Sequence, residues 1–226
     1  MDDVGAIYAE GRQRLSALVA PLDDAGAATP VPACPGWTVH DVVAHLTGIC
    51  ADILAGNLEG VTTQAWTAAQ VEPRREASLA DVLAEWAEVA PPVEAMADGF
   101  GPAGHQWVTD GATHEHDVRG ALGAPGARDS AAVEVGAAFV AERFLAGVAD
   151  RGLPTLAFRV GDRQWASGPG PAAATLTATS FELIRATTGR RSVGQLRALD
   201  WDGDPEPWLG SWGWGPFTVR VSPLDE

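Results

Sequence analysis

The chain has 226 residues, a formal charge of −15 from 15 basic and 30 acidic side chains, and 46% hydrophobic residues. That length accommodates one large domain, or one of ordinary size with a small companion, and the apolar content suffices for a buried core. An acidic surface repels a phosphate backbone, which excludes nucleic acid as an expected partner, and no stretch approaches the roughly 20 apolar residues that span a bilayer.

Every basic residue is arginine, since the sequence contains no lysine. Schiff-base chemistry, covalent pyridoxal phosphate attachment and a Walker lysine are therefore excluded, and the Arg, Ala and Gly bias suits a GC-rich genome. The opening MDDVGAIYAEGRQRL carries acid where a signal peptide needs a basic start, which predicts a cytoplasmic protein. Cys34 and Cys50 are too few for a disulfide framework and are not spaced as a Cys-x-x-Cys motif. They read as reduced structural residues, with a reactive Cys34 beside a helix start as the alternative.

Ile7, Leu15, Leu18 and Val19 recur at helical spacing over residues 5–22, and Pro21 ends that pattern. TPVPACPGW then breaks the chain, and Thr38, with Asp41 three residues on, caps a helix predicted to reach about Gly56. A looser segment rich in Thr and Gln leads to Ser78, a second cap, and to a helix whose apolar stripe is Leu79, Val82, Leu83, Trp86 and Val89. GFGPAG precedes a fourth helix, from about Gln106 to Leu122, and a fifth runs from about Ser130 to Val148. After DRGLP the pattern changes: TLAFRV and RQWAS are β-type runs joined by Gly161-Asp162, FTVRV is another strand candidate, and Ser180 and Ser192 open short helices. The expectation is a helical bundle over residues 1–150 and a small α+β domain over 151–226.

His45 lies in the middle of the second helix, while Asp110 and His114 stand four residues apart on one face of the fourth. Two ligands on one helix and a third on a facing helix make a two-histidine, one-carboxylate set with positions left open for water or substrate. The same spacing equally fits a helix-surface ion pair or hydrogen bond. His116, two residues beyond His114, points about 200° round the helix and is a poor co-ligand.

CPGWTVHDVVAHLTG resembles the signature of the mycothiol-dependent maleylpyruvate isomerase family, in which a Pro-Gly-Trp turn opens a helix carrying the first metal-binding histidine, here His45. DGATHEHDVRGALG is similar to that family's second motif, Glu-x-x-x-His-x-x-Asp followed by a hydrophobic residue, Arg and Leu-Gly. Asp110 then takes the place of the ligand carboxylate, His114 that of the second histidine, and Asp117 that of the acid beyond it. FELIRATTGRRSVGQLRALDWDGD looks like the family's second domain. One departure matters: Asp110 is a methylene shorter than the usual Glu, which puts the metal's strength and identity in question.

The resemblance implies an α+β fold, an antiparallel DinB-like four-helix bundle followed by a small α+β domain, in an actinobacterial-type enzyme. It also implies a divalent ion, zinc first and nickel, iron or manganese after it, held by His45, Asp110 and His114, with mycothiol as co-substrate. The function expected is a mycothiol-type isomerase or S-transferase acting on a small electrophilic or anionic substrate; the alternative is a metal- or ligand-binding protein or sensor without turnover. Asp117 would orient a ligand or the thiol, and Arg190 or Arg191 would bind an anionic group, against the plainer reading of both as solvated arginines. Trp208, Trp212 and Trp214, three of nine tryptophans, are either packing residues or an aromatic wall for the ligand. A monomer or homodimer is expected, with no membrane partner.

Overall fold

A computed structural model describes residues 3–226. Two compact units divide between Gly126 and Ala127.

The first unit begins with α1 (Val4–Val19), whose first turn is capped by Asp3 accepting from the Ala6 N–H. After the short α2 (Asp24–Ala27), residues 31–37 fold into two successive turns, with Cys34 N–H donating to the Val31 carbonyl and Trp37 N–H to that of Cys34. Gly36 at φ +88° follows Pro35 in the second turn, the backbone that a type II turn demands and that glycine adopts without strain. Cys34 and Trp37 are thereby fixed at the two ends of one rigid turn.

Thr38 and Asp41 form the expected capping box at the start of α3 (Val39–Ala55), and Gly56 ends it in the left-handed conformation. The segment from 57 to 77, read as a loose connection, contains α4 (Gln64–Val71), capped by Thr63 and continued by a 3₁₀ turn over Glu72–Arg74. The sequence hides this helix because only Gln70 and Val71 of its eight residues are buried; packing on α3 stabilises it more than any stripe of its own. Ser78 caps α5 (Leu79–Met96), and a 3₁₀ turn leads to α6 (Pro102–Ala121), which starts on a proline.

The four long helices form the bundle: α1 and α3 each pack against both α5 and α6. Leu15, Val42, Val43, Leu46, Val82, Trp86, Val93, Val108 and Val118 fill its core. Bidentate arginine clamps tie α1 to its neighbours, Arg12 on Glu94 of α5 and Arg14 on Glu115 of α6. Glu115 is buried and accepts from Arg119 as well, so its charge is compensated from two sides.

The second unit begins with α7 (Ala131–Asp150). This helix, expected to belong with the bundle, packs instead on α8 (Ser180–Thr187) and on strands of the second unit, which moves the division from residue 150 to 126. Its buried row of Val133, Ala137, Val140, Ala141, Phe144 and Val148 is the surface used. The strands are β1 (Leu156–Val160), β2 (Arg163–Ala166), β3 (Ala174–Thr177) and β4 (Asp200–Asp202), in sheet order β2-β1-β3-β4. β1 and β2 form the predicted hairpin, β1 and β3 run parallel, and β3 and β4 antiparallel. Ser192 and Gln195 make the capping box of α9 (Val193–Arg197). After α10 (Glu206–Leu209), a short hairpin of β5 (Gly213–Trp214) and β6 (Phe217–Thr218) takes up only two residues of the expected FTVRV strand. The architecture is α+β, a helical bundle followed by a small mixed unit. Among the described residues, no helix is long and apolar enough to cross a membrane.

Candidate metal centre

His45 projects from the middle of α3, and Asp110 and His114 from successive turns of α6. Their donor atoms lie within 4.8 Å of one another. His45 Nε2 is 3.6 Å from Asp110 Oδ2, and His114 Nε2 is 3.7 Å from Asp110 Oδ1, so one carboxylate faces both rings. Both histidines are buried, whereas the Asp110 side chain is 34% exposed and marks where the cluster meets solvent.

Each ring is held from behind. His45 Nδ1 lies 2.7 Å from Gln70 Oε1, and Gln70 Nε2 donates to Asp52 Oδ2 over 2.9 Å. The Asp52 carboxylate can only accept, so it fixes the Gln70 amide; Oε1 then accepts from His45 Nδ1–H, and Nε2 keeps its lone pair for the cluster. Gln70 in turn reaches α3 only because position 48 is glycine: a Cβ there would sit 2.5 Å from Gln70 Cβ. Arg74 donates to the Gln70 carbonyl over 2.7 Å and grips Glu85, which anchors this end of α4. Neither Gln70 nor Asp52 is identifiable as a site residue from sequence, because the helix that presents Gln70 lacks a clear periodic signal.

On α6, Asp117 Oδ2 lies 3.0 Å from His114 Nδ1, and its side chain is fully buried. Asp117 thus orients the histidine, the arrangement that sets the tautomer of a metal-ligating imidazole. Burial disfavours the charged ring, but the Asp110 charge, the hydrogen bond to Asp117 and Cys34 outweigh it and hold His114 up at about 10. Cys34 Sγ donates to Asp117 Oδ2 over 3.2 Å and lies 3.8 Å from His114 Nδ1. The Trp37 ring stands edge-on to His45, with centroids 5.2 Å apart, and stacks beside His114 at 6.0 Å. This tryptophan, which closes the Pro-Gly-Trp turn, is also a wall of the cluster. Cys50 is buried against the Tyr8 hydroxyl, and burial pushes its thiol up to about 11, which suits an inert core residue.

His116 is buried and belongs to neither of the ligand groups found among the described residues. Arg190 and Arg191, read as a fork or as surface groups, are both buried in the second unit. Arg190 donates to the Thr188 carbonyl, and the Arg191 fork takes both oxygens of Glu182. Trp208 and Trp212 are core residues there, their indole N–H groups donating to the carbonyls of Pro154 and Ala186, and Trp212 packs on Phe144 and Phe158. Trp214 is half-buried, donates to the Thr187 carbonyl and packs on Phe139 and Phe217. Their large apolar area is used for packing within the second unit.

The fold is similar to that of two crystal structures of mycothiol-dependent maleylpyruvate isomerase. One is a histidine-to-alanine mutant at 11% identity, TM-score 0.59, and the other is the isomerase at 12% identity, TM-score 0.55; both cover 84% of this chain and 90% of theirs. No curated protein sequence matches the chain. The profile of the mycothiol maleylpyruvate isomerase N-terminal domain matches residues 8–124, more than half of the chain and the whole stretch that carries the cluster. The chain belongs to the family defined by that domain.

Proposed function

We propose that the protein is a divalent-metal-dependent enzyme that uses a low-molecular-weight thiol of the mycothiol type to isomerise, or to transfer sulfur to, a small electrophilic or anionic substrate. The observation that carries this reading is the convergence of His45, Asp110 and His114 within 4.8 Å, from two helices, inside a domain of this family. The donor set fits such an ion: two imidazole nitrogens and a carboxylate at 3.6 and 3.7 Å are close to the edges of about 3.4 Å expected around a tetrahedral zinc. When bound, the ion supplies Lewis acidity, lowering the pKa of a thiol or water and polarising a carbonyl.

The rest is supplied by the chain. Gln70, backed by Asp52, fixes the tautomer of His45. Asp117 fixes that of His114 and keeps a compensating negative charge behind it. Trp37 covers both rings, and Asp110 is the exposed member of the three. A second reading, a metal- or ligand-binding protein without turnover, draws on the short arm of Asp110, which must reach an ion without the extra methylene of Glu. Turnover of maleylpyruvate and related electrophiles with mycothiol, measured before and after chelation, tests the proposal. Turnover that needs both thiol and metal supports the enzyme; tight metal binding with no turnover on any pair favours the binding protein.

A further inference from the structure

The second face of His114 carries a different donor set. Cys34 Sγ, His114 Nδ1 and Asp117 Oδ2 gather on the ring edge opposite the one that faces Asp110, again within 4.8 Å of one another. We propose that this set is a second cation position, selective for a thiophilic divalent ion such as zinc, cobalt or cadmium, which shares the His114 ring with the first set but uses its Nδ1 in place of Nε2.

Four observations carry it. The separations, 3.0 Å from nitrogen to oxygen, 3.2 Å from sulfur to oxygen and 3.8 Å from sulfur to nitrogen, lie near the edges of a zinc tetrahedron, about 3.4 Å between N and O and about 3.6 Å from S to either. The donors differ in kind from those of the first set: one thiolate with one imidazole and one carboxylate favours soft ions, where two imidazoles and a carboxylate do not discriminate. Cys34 sits on the rigid Cys34-Pro35-Gly36-Trp37 turn, so its Sγ is positioned by backbone and not by a mobile loop. Finally, Cys34 is half-buried and Asp117 fully buried, which gives an ion an entry side and a buried negative charge to neutralise. An ion here takes the place of two protons, that of the Cys34 thiol and that on His114 Nδ1, both of which otherwise point at Asp117; with the first position also filled, His114 bridges the two ions as an imidazolate and gives up its Nε2 proton as well. The position does not depend on the reaction proposed above.

Cobalt titration of the purified metal-free protein tests it, followed by absorption in the wild type, Cys34→Ser and Asp110→Ala. A thiolate-to-cobalt charge-transfer band in the near ultraviolet is expected in the wild type and in Asp110→Ala, and its loss in Cys34→Ser, with that variant keeping the visible bands of cobalt at the first set. No such band in the wild type at saturating cobalt, or a band that survives Cys34→Ser, overturns the proposal. Loss of the band in Asp110→Ala also overturns it, because the thiolate would then belong to the first position. Unchanged visible bands in Asp110→Ala would count against the His45, Asp110 and His114 set instead, so the two readings fail separately.

Discussion

Gln70 Oε1 accepts a 2.7 Å hydrogen bond from His45 Nδ1, joining the short helix α4 to the long helix α3. The bond turns the other ring nitrogen toward Asp110. Replacing Gln70 by Ala frees the ring to rotate and to change tautomer, and should weaken zinc binding by about 10- to 100-fold while leaving the fold intact. A chelator-competition titration measures it. An unchanged affinity would show that His45 is oriented without its partner.

Gly48→Ala probes the same contact from the opposite helix. A methyl group at position 48 would stand 2.5 Å from Gln70 Cβ and 2.8 Å from its Cγ, so α4 must move away. Helix propensity alone favours Ala over Gly by roughly 1 kcal/mol, but overpacking at a close helix contact costs about 1 to 3 kcal/mol. The variant should be less stable in urea denaturation and bind zinc more weakly, in the same direction as Gln70→Ala. Increased stability with unchanged affinity would mean that the approach of the two helices is not tight.

Asp110→Glu and Asp110→Ala should move zinc affinity in opposite directions. The longer carboxylate reaches further toward His45 Nε2 and His114 Nε2, now 3.6 and 3.7 Å from the Asp110 oxygens, whereas Ala removes the carboxylate. Isothermal titration of both variants separates the cases. A Glu variant no tighter than Asp would show that the short arm is already the right length.

The pH dependence has a definite sign. His114 is raised from 6.5 to about 10 in the folded, metal-free protein: burial opposes the shift, and Asp110, Asp117 and Cys34 outweigh it. A folded pKa above the unfolded one contributes stability that is complete below about 6.5 and disappears as pH rises through about 10. The metal-free protein should therefore lose stability across that window, and His114→Ala should flatten the loss. Binding at Nε2 displaces a proton over the same window, so zinc affinity should rise with pH, by up to tenfold per unit for one proton. Thermal melts and zinc titrations at several pH values check both. A metal-free wild type that gains stability between pH 7 and 9 would contradict the assignment.

The helices that carry His45, Asp110 and His114 were legible because their signals are local. Thr38 with Asp41 marks the start of α3, and Asp110 and His114 share a face by spacing alone. The convergence of His45 with them is a tertiary fact, and only the paired motifs of the family pointed to it. Gln70 stayed hidden because α4 is short and mostly exposed, and because a glutamine on a helix carries no chemical signal until its partner is known. Helix α7 was read with the bundle because its apolar row shows that it packs, not on which unit. The contact of Trp37 with both histidines was not legible, since it spans three segments of chain while the turn that it closes is local.

Metal content at limiting zinc is the most direct test of the central claim, compared among the wild type, His45→Ala, Asp110→Ala and His114→Ala after dialysis against a weak chelator. The three residues stand on separate helical turns and converge on one point, so each substitution should lower bound zinc well below the wild-type value while leaving the helical content unchanged. Equal zinc in all four proteins would contradict the account, because the convergence of His45, Asp110 and His114 would then be an ordinary buried hydrogen-bonding cluster.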